Sequence, residues 1–222
     1  MRLGVLFSGG KDSAYSAYLE KKKGNDLVCL ISIFSENPES YMFHTPNIKL
    51  TEKQAKLMNM PVLTERTKGA KEEELKDLEN ALKNAKSIYK IEGIVTGALY
   101  SEYQASRIKA ICDKLRLKCI NPLWHKDEFK YLQELIDAGF KITITGVFAY
   151  PLDDSWLGRE IDKSFITDVK ELNAKYKIHP AGEGGEFETF VLNCPLFKKP
   201  LKITEKNISG EKNSWKLEIE VE

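Results

Sequence analysis

Six residues near the start of the chain, Ser8-Gly9-Gly10-Lys11-Asp12-Ser13, combine the types needed to hold an anion. Two glycines let the backbone turn tightly and approach a ligand with no Cβ in the way, and the first amides of a following helix would point at that ligand. Hydroxyls of Ser8 and Ser13 can donate to phosphate oxygens, Lys11 can offset negative charge, and Asp12 offers the hard oxygen that Mg²⁺ requires. The segment follows an apolar run at 3–7, which puts it at a strand-to-helix junction, where such a cradle works. Neither GxxxxGK(S/T) nor GxGxxG occurs, so the chemistry is not that of a P-loop NTPase or a Rossmann dehydrogenase.

A second concentration of chemistry lies at 182–188, GEGGEFE, where Glu183, Glu186 and Glu188 sit among three glycines. That composition suits neither helix nor strand and predicts a shaped loop. Like charges so close need either a cation or solvent between them, so the segment is a site for Mg²⁺, ammonium or a cationic substrate, or else a solvated acidic turn. Tyr103 and Arg107, one helical turn apart, point away from the face formed by Ala105, Ile108, Ile111, Cys112 and Leu115. They are either an exposed pair or the lining of a cleft. Gly97, just past a strand end, favours the cleft, because a backbone approaches a ligand there. Asp153-Asp154 is a further metal candidate. Thr45-Pro46 reads as a helix entry, with Thr45 as N-cap beside His44, whereas His125 and His179 stand alone and are not nominated.

These residues need elements to position them. Strand-like runs at 3–7, 27–34, 61–65, 93–96, 118–120 and 141–148 alternate with helical patterns at 11–23, 46–58, 71–89, 101–115 and 128–138. Strands separated by helices predict an α/β fold, a parallel sheet with helices on both faces that binds ligands at the carboxyl ends of its strands. After Tyr150 the rhythm breaks into a helix at 167–176 and strands at 187–193, 201–206 and 215–221, with Ser209-Gly210 and the polar residues around them supplying the turn between the last two. The expected organisation is a parallel body over 1–149 and a smaller C-terminal α+β subdomain over 150–222.

SGGKDS after an N-terminal strand resembles the PP-loop of the N-type ATP pyrophosphatases, whose fold is Rossmann-like. Together with the segments at 42–47 (MFHTPN), 97–107 (GALYSEYQASR), 121–124 (NPLW) and 182–189 (GEGGEFET), it makes nearly the whole chain similar to the diphthine–ammonia ligase family, in a short, archaeal-type form. The resemblance implies an AMP-forming amide ligase using ATP and Mg²⁺. Its implied substrates are ammonium and the diphthine of translation elongation factor 2, amidated to diphthamide through an acyl-adenylate with release of AMP and pyrophosphate. Ser8, Gly9, Gly10, Lys11, Asp12, Ser13 and Gly97 would bind ATP, with Asp12 also the metal ligand. Asp12, Lys11, Glu183, Glu186, Tyr103 and Arg107 would carry catalysis, and the loop at 182–188 is expected to fold back over the ATP cleft. Diphthine bears a quaternary ammonium group, which suits carboxylates and aromatic faces such as Tyr103 or Trp124. Eukaryotic relatives differ where this chain has FHTPN, which makes a ligand-contact role for His44 less transferable. The rival readings are a PP-loop enzyme that thiolates or amidates tRNA, and a nucleotide-binding sensor without catalysis.

Composition narrows the field. A chain of 222 residues with 42% hydrophobic and 30% charged residues has the makeup of a globular protein with a full core. Its 34 basic against 33 acidic residues leave a net charge of +1, which disfavours nucleic acid as a partner. The apolar runs are far shorter than a membrane span, and the N-terminal apolar stretch is too short for a signal peptide, so the expected location is cytoplasmic, with no membrane partner. The four cysteines form no CxxC and read as reduced core thiols, which weighs against tRNA thiolation. Composition leaves a homo-oligomer open.

Overall fold

The computed structural model describes residues 1–37, 47–70 and 73–222, so His44, Thr45 and Pro46 lie outside the described residues. The chain divides into two compact units, Met1–Trp124 and His125–Glu222.

The first unit contains β1 (Arg2–Leu6), α1 (Lys11–Lys22), β2 (Asp26–Ser35), a 3₁₀ turn (Ile48–Leu50), α2 (Thr51–Met58), β3 (Val62–Thr67), α3 (Glu73–Tyr89), β4 (Gly93–Val95), α4 (Glu102–Lys114) and β5 (Lys118–Ile120). Its five strands form one parallel sheet in the order β3-β2-β1-β4-β5. Cys29, Ile31 and Ile33 of β2 pack with Leu78, Leu82 and Ala85 of α3 and Ile108, Ile111 and Cys112 of α4. Leu30 and Ser32, which alternate to the other side of the strand, are buried as well, so both faces are covered. The order reverses between β1 and β4. In an open α/β sheet this is where connections leave to opposite faces and a crevice opens at the strand ends.

The second unit contains α5 (Glu128–Asp137), β6 (Lys141–Val147), a 3₁₀ turn (Asp154–Trp156), α6 (Lys163–Tyr176), β7 (Phe187–Asn193), β8 (Ile203–Glu211) and β9 (Ser214–Val221). Its sheet is antiparallel, in the order β7-β6-β9-β8. Here the structure departs from the sequence reading. The strand at 141–148, read as the last of the parallel body, lies between β7 and β9 and pairs antiparallel with both. Its run of buried residues looked like a parallel strand because a central strand covered on both faces has the same pattern whichever way its neighbours run. As a result the compact units part at 124/125, not at 149/150.

The last hairpin turns at Lys212-Asn213, with Lys212 at φ +53, while Ser209 and Gly210 are inside β8 and pair with Lys216 and Trp215. The Ser-Gly pair is therefore a strand feature, and of the polar stretch around it Lys212-Asn213 make the turn. α6 starts earlier than its apolar pattern suggested, because Asp162 accepts the Phe165 N–H at 2.8 Å and caps it. Among the described residues no helix is long and apolar enough to cross a membrane.

Candidate active site

The loop after β1 is held by residues distant in sequence. The Phe7 N–H donates to the Ile31 carbonyl at 2.9 Å, and its own carbonyl accepts the hydroxyl of the fully buried Ser32 at 2.7 Å. Gly9 follows with φ +82, a conformation other residues adopt at a cost, and a Cβ there would stand 2.6 Å from Gln54 Oε1. Gln54, buried on α2, donates Nε2 to the Gly9 carbonyl at 3.0 Å. Only glycine leaves room for that contact.

Ser8 and Ser13, expected as phosphate ligands, also fold the loop. Ser13 Oγ accepts the Ser8 N–H at 3.3 Å and donates to the Gly10 carbonyl at 3.1 Å, and Ser8 Oγ lies 3.3 Å from Ser13 Oγ. α4, α5 and α6 begin with side-chain caps from Ser101, Asp127 and Asp162, whereas the N-cap of α1 is Gly10, which supplies none. The opening turn of α1 thus keeps its dipole directed at the loop. Lys11 is buried, with its ammonium 3.0 Å from Asp12 Oδ2, so a positive and a negative group sit together at the mouth of the helix.

Gly97 lies in the loop after β4. The close approach expected there is real, but its partner is protein: a Cβ would stand 2.9 Å from Asp12 C and from Ser13 N. Absence of that Cβ lets the β4 loop lie against the first turn of α1, bringing the two loops of the switch point together. Beside them the Thr96 hydroxyl donates to Asn121 Oδ1 at 2.6 Å and accepts the Ala98 N–H at 3.3 Å. Sequence reasoning missed Ser32, Gln54 and Thr96 because nothing local distinguishes a buried loop-holding polar residue from a solvated one. Asn121 had a signal, an Asn-Pro just past a short strand.

On α4 the core face is as read, with Ala105, Ile108, Ile111 and Cys112 buried. Tyr103 and Arg107 are half-buried and stacked, the guanidinium carbon 3.6 Å from the ring centroid. One face of Tyr103 is therefore covered by a cation of the protein itself. The four cysteines are free, and burial pushes the Cys29 thiol up to about 12 and the Cys194 thiol up to about 11, so both are protonated and inert near neutrality. Asp153 accepts from the backbone N–H and the hydroxyl of Ser155, capping the 3₁₀ turn that follows.

In the second unit the GEGGEFE segment is a loop leading into β7. Its carboxylates are not equivalent. Glu186 turns inward: Oε1 accepts the His179 N–H at 2.8 Å, while Oε2 is buried with no hydrogen-bond partner. The loop end is tied to the residue just past β6 by the Phe148 N–H, which donates to the Glu186 carbonyl at 2.8 Å. Glu188 lies on β7 opposite Gly146. Glu183 is half-buried at the tip, and its N–H donates to His179 Nδ1 at 3.4 Å. His179, an isolated histidine by sequence, is in fact central to this loop.

Residues 1–119 match the family model described as the diphthamide synthase N-terminal domain, and residues 127–221 match that described as the diphthamide synthase C-terminal domain. The diphthine–ammonia ligases of Bos taurus and Homo sapiens are each 33% identical to the chain over 227 residues, covering 94% of it and 85% of their own length. That of Schizosaccharomyces pombe is 31% identical over 95% of this chain and 38% of its own length.

Proposed function

Because the chain belongs to the diphthine–ammonia ligase family, we propose that it amidates the carboxylate of diphthine with ammonia, cleaving ATP to AMP and pyrophosphate. The observation that carries the reading is the loop at 8–13. It combines glycines, hydroxyls and an uncapped helix start at the sheet's switch point, in a chain that matches the family over both halves.

A diphthine carboxylate oxygen attacks the α-phosphorus of ATP, and the bond to the bridging oxygen breaks, releasing pyrophosphate and leaving an acyl-adenylate. Neutral ammonia, formed by loss of a proton from ammonium, then attacks the acyl carbon. AMP departs, a second proton leaves the nitrogen, and the amide remains. Splitting the reaction gives the carboxyl carbon AMP as a leaving group, where ammonia alone would have to expel oxide. The helix start, the hydroxyls of Ser8 and Ser13 and the Lys11 ammonium would stabilise charge gathering on the pyrophosphate, which a preorganised loop does without rearranging.

Mg²⁺ fits this donor set. Among the described residues no group of three His, Cys, Asp or Glu could hold a metal alone, so Asp12 would share the ion with phosphate oxygens and water, and the ion would neutralise the leaving charge. Gly97 would serve the nucleotide by keeping the α1 start in place. We assign the acceptor half of the reaction to the loop of Glu183 and Glu186, in which Glu183 would offer negative charge to ammonium or to the quaternary ammonium of diphthine and Glu186 would hold the loop from inside, and to Tyr103 and Arg107 as further acceptor contacts. The partner would be diphthine-bearing translation elongation factor 2, in the cytoplasm. The relatives named above are all diphthine–ammonia ligases, which favours neither tRNA modification nor a sensor.

Incubation with labelled ATP, ammonium and diphthine-bearing elongation factor 2 tests the reading. Labelled AMP should appear together with a protein product of amidated mass. Substrate-dependent ADP, or AMP without amidation, would refute it.

A further inference from the structure

We infer that His179 is a positioning residue that fixes the backbone of the acidic loop and so determines where Glu183 is presented. This rests on the reading above, in which that loop serves the acceptor half of the reaction. Glycines at 182, 184 and 185 leave the loop's backbone little constrained by its own sequence, so its shape must come from bonds made to it. His179 supplies four of those described. Its Nδ1 accepts the Ala181 N–H at 3.2 Å and the Glu183 N–H at 3.4 Å. Its carbonyl accepts the Gly182 N–H at 2.9 Å, and its own N–H donates to Glu186 Oε1 at 2.8 Å. One residue thus reaches four members of a six-residue stretch.

The ring's orientation and tautomer are set from the other side. Nε2 lies 3.4 Å from Oε1 of Glu128, in the first turn of α5, and a carboxylate there favours the tautomer with hydrogen on Nε2 and the lone pair on Nδ1. That lone pair is already shared by two backbone donors, so His179 has no base to offer a substrate. Its contribution is geometric. With Glu186 turned inward as part of the same brace, Glu183 is the carboxylate that the brace presents.

Asparagine separates this role from bulk and from catalysis. Its Oδ1 hangs from Cγ as Nδ1 does in histidine and can accept the same two N–H groups, whereas glutamine carries its oxygen one carbon further out. The test compares wild type, His179→Asn and His179→Gln as full chains, by amide hydrogen exchange and by amidation kinetics with ammonium and diphthine-bearing elongation factor 2. Losing two acceptor bonds should speed exchange at Ala181 and Glu183 by about tenfold or more in His179→Gln and by less than about threefold in His179→Asn. Amides of β6 and β7 should stay protected in both, which confirms that the unit is folded. The acceptor kcat/KM should fall about tenfold or more in the glutamine variant and recover in the asparagine variant, with ATP affinity unchanged throughout. Equal exchange in all three proteins, equal acceleration in both variants, or full amidation by His179→Gln would overturn the assignment. If wild type itself fails to amidate, the proposed function falls, and the exchange pattern still decides the role of His179.

Discussion

The two glycine loops of this protein are alike in composition and opposite in how they are held. The loop at 8–13 is braced from a distance: Ser32 holds Phe7, Gln54 holds Gly9 across 45 positions, and the β4 loop lies on Asp12 and Ser13 at Gly97. The loop at 182–188 is shaped chiefly from nearby, by His179 and Glu186, seven positions apart, with Phe148 and Glu128 as its more distant supports. A loop of the first kind inherits its shape from a parallel sheet and cannot move without disturbing β1, β4 and α2. A loop of the second kind depends on a few hydrogen bonds, each contributing about 1 kcal/mol net, and one substitution can reset it. The first suits a cradle that must be rigid when charge develops, the second a site matched to a particular acceptor.

The sharpest way to break this contrast is Asp12→Ala. The carboxylate beside the cradle should be indispensable, so AMP formation from labelled ATP should fall by at least about a hundredfold. Thin-layer separation of the products measures it, and a wild-type rate would remove Asp12 from the machinery. Gly97→Ala should come next. Its new methyl group would meet Asp12 C and Ser13 N at 2.9 Å, both backbone atoms that cannot swing aside, so the start of α1 must shift. The expected destabilisation is about 1–3 kcal/mol by thermal unfolding, with ATP affinity by calorimetry down about tenfold. An unchanged affinity would mean that the two loops are not coupled. The smallest effect belongs to the locally braced loop. Glu183→Gln keeps the shape and removes the charge, so amidation should fall by about tenfold while ATP binding stays at its wild-type value. Loss of both together would erase the distinction between the loops.

Much of the chemistry could be read from local pattern. Two glycines, two hydroxyls, a lysine and an aspartate at a strand-to-helix junction are the types an anion cradle needs, and the helix face of Ala105, Ile108, Ile111 and Cys112 follows from a 100° period. The isolated His179 gave no such sign. Its role depends on Glu128, on a helix some fifty positions earlier, as much as on its own loop. Glu186, grouped by sequence with Glu183 and Glu188, separates from them only when its carboxylate is seen to accept the His179 N–H.

What the sequence determined by itself is therefore what neighbours in the chain decide: where most helices and strands fall, which segment joins glycines and hydroxyls to a helix start, and the family to which these segments belong. Tertiary structure decided the strand order, which makes β1 and β4 neighbours and so brings Gly97 against Asp12 and Ser13. It decided that β6 runs antiparallel between β7 and β9. The reason is that strand pairing is made by backbone hydrogen bonds between segments far apart in the chain, and the backbone is chemically the same in every strand. Side-chain pattern shows that β6 must be buried on both faces, but buried parallel and buried antiparallel neighbours satisfy that pattern equally, and only the folded chain chooses between them.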